Sequence, residues 1–477
     1  MTVASQYGLL AFGLYAAALI GVGLWAREQA KRQDDSNFLL ADRNLNFWVG
    51  AISANASDMS AWLFLGLPFV LYTQGGIRLW TPIGLLIFMF LSWRLVAAPL
   101  RRQTGAYGVS TLSSYLGARL RDSSGILRAT GAILTLFFLT PYVGAGLIAV
   151  GRYCETLLGL PYHTGCVLGA ALVIAYTTAG GLAAVAWVDF VQGMFLLVVI
   201  ALVPWLAYQA LPPDQTIAAA ARAKGVSLAL LPDWRGATLL QAASLCLGWG
   251  VGYFGQPHIL DKFMAMRDPD KMRASTLIST AWQLLALGSS AACGLVALAF
   301  VQPPPQDPQL VFVDMVQRLF SPMMAAGVLC AVLAATLSSM DSQILVLASV
   351  IAHDLAPRLL GGTPKPKQML WIARGGIVVM SLTALAIAWS ESQTIYNLVE
   401  FCWMGLGCAF GPVVLLCLYS CFITAPGALA AMLTGGAIGA CWSVFDLPLS
   451  APLPGFTAAV VVAYGVSLFD RYRDSRD

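Results

Sequence analysis

Polar side chains crowd into a stretch that is otherwise built to cross a bilayer. Residues 47–76 read FWVGAISANASDMSAWLFLGLPFVLYTQGG, and their first half carries Ser53, Asn55, Ser57, Asp58 and Ser60. An aspartate at the centre of a spanning helix costs about 2.5–3.5 kcal/mol even on lenient insertion scales. Gly50, Ala51, Ala54, Ala56 and Ala61 are too small to shield the backbone around it. Such an interruption is tolerated where it lines a cavity or is buried in protein, and in carriers it is where solute and ion are held. A second interruption follows at 237–256, running into LGWGVGYFGQPHIL, where Gly248, Gly250, Gly252, Gly255 and Pro257 weaken the helix.

A third polar concentration lies in AVLAATLSSMDSQILVLASVIAHD, with Thr336, Ser338, Ser339, Asp341, Ser342 and Gln343 close together. Hydroxyl, carbonyl and carboxylate oxygens suit a hard cation. The first interrupted helix would give carbonyls and this one the hydroxyls of Ser338 and Ser339. The plainer alternative is interhelical hydrogen bonding at about 0.6 kcal/mol per pair. Asp189, in AVAWVDFVQG, reads either as a cavity residue or as an interface residue near a helix end. Glu400, in LVEFCWMGLG, is a proton or solute group or faces a water path. Trp249 and Tyr253 share one helix face at a spacing of four, a pattern that more often serves packing than a ligand, though Gly248, Gly252 and Pro257 beside them expose backbone that needs something to bind. His258 reads as structural.

The elements that position these residues are membrane helices. Of 477 residues 58% are hydrophobic and 10% charged, against about 25% charged in a soluble domain. Thirteen stretches reach the ~20 apolar residues a span needs: 7–26, 46–73, 79–100, 126–151, 160–180, 184–209, 237–256, 276–302, 322–353, 369–390, 394–420, 426–445 and 450–469. No P-loop or HExxH is present, and no connection has room for an appended catalytic domain. The ten cysteines form no CxxC and lie mostly in apolar segments, as packing residues do. The N-terminus lacks a basic n-region and a small-residue cleavage site, so the first helix is expected to be retained. With the N-terminus outside, twenty Lys and Arg fall on the cytoplasmic side, Lys262 among them, and six outside. That asymmetry fits the positive-inside rule, places the C-terminus in the cytoplasm, and accounts for the net charge of +4 without a nucleic-acid partner. The two interrupted helices are second and seventh. Five helices apart is the spacing of two inverted five-helix repeats.

Taken together, SDMSAWLFLGLP at 57–68, AGGLAAVAWVDFVQ at 179–192, WGVGYFGQPHIL at 249–260, LAATLSSMDSQILV at 333–346 and GLGCAFGPVVL at 405–415 resemble the sodium:solute symporter family, and within it the sodium/proline symporters. The resemblance implies an all-α polytopic membrane protein with a LeuT-type 5+5 inverted repeat. One helix precedes the repeat and two follow it. Residues 1–45 would hold the first helix and a cytoplasmic loop, 46–425 the ten-helix transport core, and 426–477 two C-terminal helices and a short tail.

The resemblance also implies roles. A sodium site would use the carbonyls of Ala56, Met59 and Ala335 and the hydroxyls of Ser338 and Ser339. Asp58, Asp189 and Asp341 would support sodium. Ser60, Ala61, Tyr142, Trp249, Tyr253 and Pro257 would contact the solute. The sequence departs from the best-known proline symporter at Ser339 (Thr there), Ala61 (Gly there), Asp341 and Glu400 (uncharged there). The function implied is sodium-driven import of a small amino acid, proline first, across an energised plasma membrane. It needs Na+ as coupling ion, no organic cofactor, no enzyme chemistry and no obligatory protein partner. The alternatives are another small solute or H+ on the same fold, or a membrane sensor, though only RYRDSRD follows Asp470.

Overall fold

The computed structural model describes residues 3–30, 43–390, 394–445 and 450–474. Lys31, Arg32 and Arg476, three of the charges that set the expected orientation, lie outside the described residues. Among the described residues there is no strand, only an isolated bridge between Leu45 and Met266. The main helices are α1 (Val3–Ala30), α2 (Phe47–Met59), α3 (Leu67–Gln74), α4 (Trp80–Ser92), α5 (Ile126–Tyr153), α6 (Tyr162–Gln209) and α7 (Gly236–Val251). They continue with α8 (Pro257–Met264), α9 (Met272–Phe300), α10 (Pro322–Ser349), α11 (Pro366–Ala388), α12 (Ile395–Tyr419), α13 (Ala425–Cys441) and α14 (Pro452–Asp474).

Nine helices among the described residues are long and apolar enough to cross a membrane by length and composition, and three shorter apolar helices accompany them. The chain is therefore a multi-pass membrane protein. One of the nine, α6, runs for 48 residues but turns at Gly181, with φ 62° and ψ −169°. Only glycine adopts that backbone readily, and the turn falls between the two spans read from sequence at 160–180 and 184–209.

Burial sorts the helices into a centre and a rim. From Val49 to Met59 every residue of α2 is buried, and so is every residue of α10 from Leu329 to Ser349. Windows of α11 and α14 are only 28% buried. Their outward side chains, with Val191, Val198 and Leu277 elsewhere, form the apolar belt a bilayer would cover. At the centre α2 packs on α6, α8, α9 and α10. Small residues permit the approach: a Cβ on Gly193 of α6 would lie 3.0 Å from Ala56 Cβ of α2.

Candidate functional site

The predicted interruption at 47–76 is a true break. Asn46 caps α2 by accepting from the Trp48 amide at 3.0 Å. The helix stops at Met59 because Ser60 adopts φ 47° and ψ −170°, a conformation costing a non-glycine residue on the order of 1–3 kcal/mol. The Ser60 hydroxyl recovers one contact by accepting from the Trp62 amide at 3.1 Å. A π-helical turn, Trp62–Gly66, then leads into α3. The last-turn carbonyls of α2, those of Ala56 and Met59 included, lose their intrahelical partners. The negative end of the helix dipole is there too.

Asp189 faces this end from α6. It is fully buried and takes more partners than any other acid described. Ser338 of α10 donates to Oδ1 at 2.6 Å. Ser53 and Ser57 of α2 donate to Oδ2 at 2.8 and 2.9 Å, and Ser342 is at 3.3 Å. The Lys262 ammonium of α8 completes the set at 2.9 Å. Asp189 thus ties α2, α6, α8 and α10 together inside the buried core. Ser339 turns its hydroxyl to the Ala335 carbonyl at 3.2 Å. Each of these serines donates its one proton and keeps two lone pairs. The hydroxyls of Ser338 and Ser339 can therefore offer oxygen to a cation without giving up their donations.

Asp341, next in the chain to Ser342, makes no hydrogen bond to Asp189 or Lys262. Its Oδ2 accepts from Tyr176 of α6 at 2.8 Å, and its Oδ1 has no partner. The two interruptions meet at Asp58. The Tyr253 hydroxyl donates to the Asp58 carboxylate and accepts from Gln283 of α9 at 2.6 Å. Past Val251 the chain takes a 3-10 turn, Gly252–Gly255, and restarts as α8 with Pro257 in its first turn, a position that wastes no amide.

The residues expected to contact solute divide into two groups. Ser60, Ala61 and Tyr142 line one void of about 10 Å³ together with Ser339 and Gln343 of α10. That volume is about one water, far below the ~300–1,000 Å³ of an open ligand pocket, so the site is closed around it. Trp249 packs instead on Trp62 (5.2 Å between ring centroids), Tyr396 (5.5 Å) and Trp403 (6.3 Å). Tyr253 and Pro257 also lie outside the lining of the void.

A family model described as the sodium:solute symporter family matches residues 38–435. The chain belongs to the sodium:solute symporter family. It is 34% identical over 475 residues to sodium/proline symporter 2 of Staphylococcus saprophyticus, covering 96% of this chain and 92% of that protein. It is 33% identical over 472 residues to the high-affinity proline transporter PutP of Bacillus subtilis, covering 96% and 98%. Among solved structures, the substrate-bound outward-open state of a Na+-coupled sialic acid symporter superposes with a TM-score of 0.81. That likeness, at 16% identity over 97% of this chain and 98% of the other, concerns the fold, which is the LeuT type.

Four residues of this family member escaped the sequence reading. The charge pattern assigns Lys262 to a cytoplasmic loop, but its side chain is 1% exposed and paired inside the core. Ser53 and Ser57 read from sequence only as polar residues in an apolar run, and their shared partner, Asp189, lies more than 130 residues away. Gln283 carried no signal, since one glutamine in a long apolar helix has many uses.

Proposed function

We propose that this chain imports a small amino acid, L-proline first, by sodium-coupled alternating access. The observation that carries the reading is the convergence on Asp189 of hydroxyls from α2 and α10 beside the broken end of α2. Na+ would bind the carbonyls of Ala56, Met59 and Ala335 and the hydroxyls of Ser338 and Ser339. Asp58, Asp189 and Asp341 would support it with negative charge. The solute would enlarge the void at Ser60, Ala61 and Tyr142, with its carboxylate near the free amides after the break. Trp249, Tyr253 and Pro257 would act from behind, holding the second break closed. The named substrates of the curated relatives support proline.

The energetics are sufficient. One charge crossing 100 mV supplies about 2.3 kcal/mol. A tenfold Na+ gradient supplies about 1.4 kcal/mol. At 1:1 coupling, roughly 3.7 kcal/mol sustains about 500-fold accumulation. No bond is made or broken in this cycle, so the chain is not an enzyme in this reading. Residues 46–425 would be the transport core, with 1–45 and 426–477 flanking it, the N-terminus outside and the C-terminus in the cytoplasm.

Radiolabelled L-proline uptake into proteoliposomes tests this, with and without an inward Na+ gradient, for wild type and Ser338→Ala. Sodium-driven accumulation that falls at least tenfold in the variant is expected. Active protein that takes up no proline rejects the substrate. A second reading, coupling to H+, rests on the partnerless Oδ1 of Asp341. Asp341→Asn that keeps Na+-driven uptake and its pH profile rejects it.

A further inference from the structure

The core contains five buried amide side chains among its described residues: Asn55, Gln192, Gln256, Gln283 and Gln343. Four are tied down by their N–H groups. Asn55 donates to the Ser279 carbonyl at 3.0 Å, and Gln192 to the Tyr15 hydroxyl. Gln256 donates to the Gly252 and Trp403 carbonyls at 3.1 and 3.0 Å, and Gln283 to Tyr253 at 2.6 Å. Gln343 is 1% exposed, and neither its nitrogen nor its oxygen has a partner. An interhelical strut would look like the other four. Leaving both ends of a buried amide unmet costs about 1–3 kcal/mol for each group, so this amide is built for something that enters.

Its position says where that would enter. Thr336, Ser339, Met340 and Gln343 make one stripe along α10, at spacings of three and four, and all four line the void at Ser60, Ala61 and Tyr142. Ser338 and Ser342 make a second stripe aimed at Asp189. The remaining hydroxyls of the first stripe are turned back on their own helix, Thr336 to Val332 at 2.6 Å and Ser339 to Ala335 at 3.2 Å. On that stripe only Gln343 is left with both a free donor and a free acceptor.

We propose that Gln343 is a specificity-determining solute contact, pairing with the polar end of an amino-acid zwitterion. This rests on the amino-acid import reading above. Its N–H group donates to the carboxylate and its C=O accepts from the ammonium. A zwitterion carries no net charge, so a neutral amide satisfies both poles without leaving a buried charge, whereas Lys or Glu would satisfy one and strand the other. Ser339 links the two stripes: it lines the void and is also an expected sodium ligand, so solute and ion would sit on neighbouring faces of one helix.

The test is L-proline uptake by purified protein in proteoliposomes under an inward Na+ gradient. Both the solute KM and the Na+ half-saturation are measured for wild type, Gln343→Asn and Gln343→Met. Methionine keeps the length and removes the amide, while asparagine keeps the amide one methylene short. Solute KM is expected to rise about 10- to 100-fold in Gln343→Met and less in Gln343→Asn. Na+ half-saturation and the maximal rate should stay within about threefold, because the sodium ligands are untouched. An unchanged solute KM in Gln343→Met overturns the assignment. So does a rise in Na+ half-saturation alone, which would move Gln343 into the ion shell. If Gln343→Met does not fold, the Asn variant decides by the same two constants. Wild type that accumulates no proline overturns the import reading and the inference with it; wild type that does, beside a normal Gln343→Met, overturns the inference alone.

Discussion

Lys262 and Asp189 meet at 2.9 Å with side chains 1% and 0% exposed. Two charges so deep hold only because each neutralises the other and the four serines complete the carboxylate's shell. The pair also bears on the ion: a Na+ arriving near Ser338 adds a positive charge where an ammonium already sits. Removing one member should cost about 3–5 kcal/mol, mostly the penalty of the stranded charge, and removing both much less. Lys262→Met and Asp189→Asn should therefore each lower folded yield and thermal midpoint in detergent. The double variant should regain much of that stability yet fail in Na+-driven uptake, and a double variant no more stable than either single would contradict the coupling. At this scale the sequence was half legible. Ser338, Ser339 and Asp58 were readable because polar residues stand out against an apolar run. Lys262 was not, because a lysine just past a predicted helix looks like any loop charge until its neighbours are known.

At the scale of elements, the two broken helices are what hydropathy and glycine content reveal best, and the structure adds how they are held. Gly252 in the second break lies against α12, where a Cβ on Gly407 would come within 2.6 Å of the Gly252 Cα. A Cβ on Gly252 would in turn meet the Trp403 indole nitrogen at 2.3 Å. Neither backbone can retreat without moving Tyr253 off Asp58. Gly407→Ala should cost on the order of 1–3 kcal/mol by overpacking, seen as a lower melting midpoint and slower uptake. Gly375→Ala on α11 should be neutral or slightly stabilising, since nothing lies within 4 Å of its Cβ and alanine favours helix. Equal effects from the two would show that the close approach does not matter. Composition predicts that a glycine-rich helix will break. It cannot say which glycine faces which partner, since that depends on α12, about 150 residues further along the chain.

For the whole molecule, the sequence reading stands or falls on how many times the chain crosses, and α6 is where the count is most exposed to error. Forty-eight helical residues span about 72 Å at 1.5 Å each, more than twice a ~30 Å hydrocarbon core. The turn at Gly181 divides that length into two crossings, which would return the chain to the side it left. Thr156, before α6, and Trp234, after it, would then share the outer face. Leu359, after α10, would lie in the cytoplasm. Thr156 is exposed, and Trp234 and Leu359 are 80% and 82% exposed, so a cysteine at any of the three can be reached by a thiol reagent. In a background with the exposed Cys421 and Cys441 replaced by serine, Thr156→Cys and Trp234→Cys should react with a membrane-impermeant maleimide in intact cells. Leu359→Cys should react only after permeabilisation. Thr156→Cys protected while Trp234→Cys reacts would mean that α6 crosses once. The twenty-to-six charge asymmetry would then lose its meaning, because every loop upstream of Gly181 would change sides.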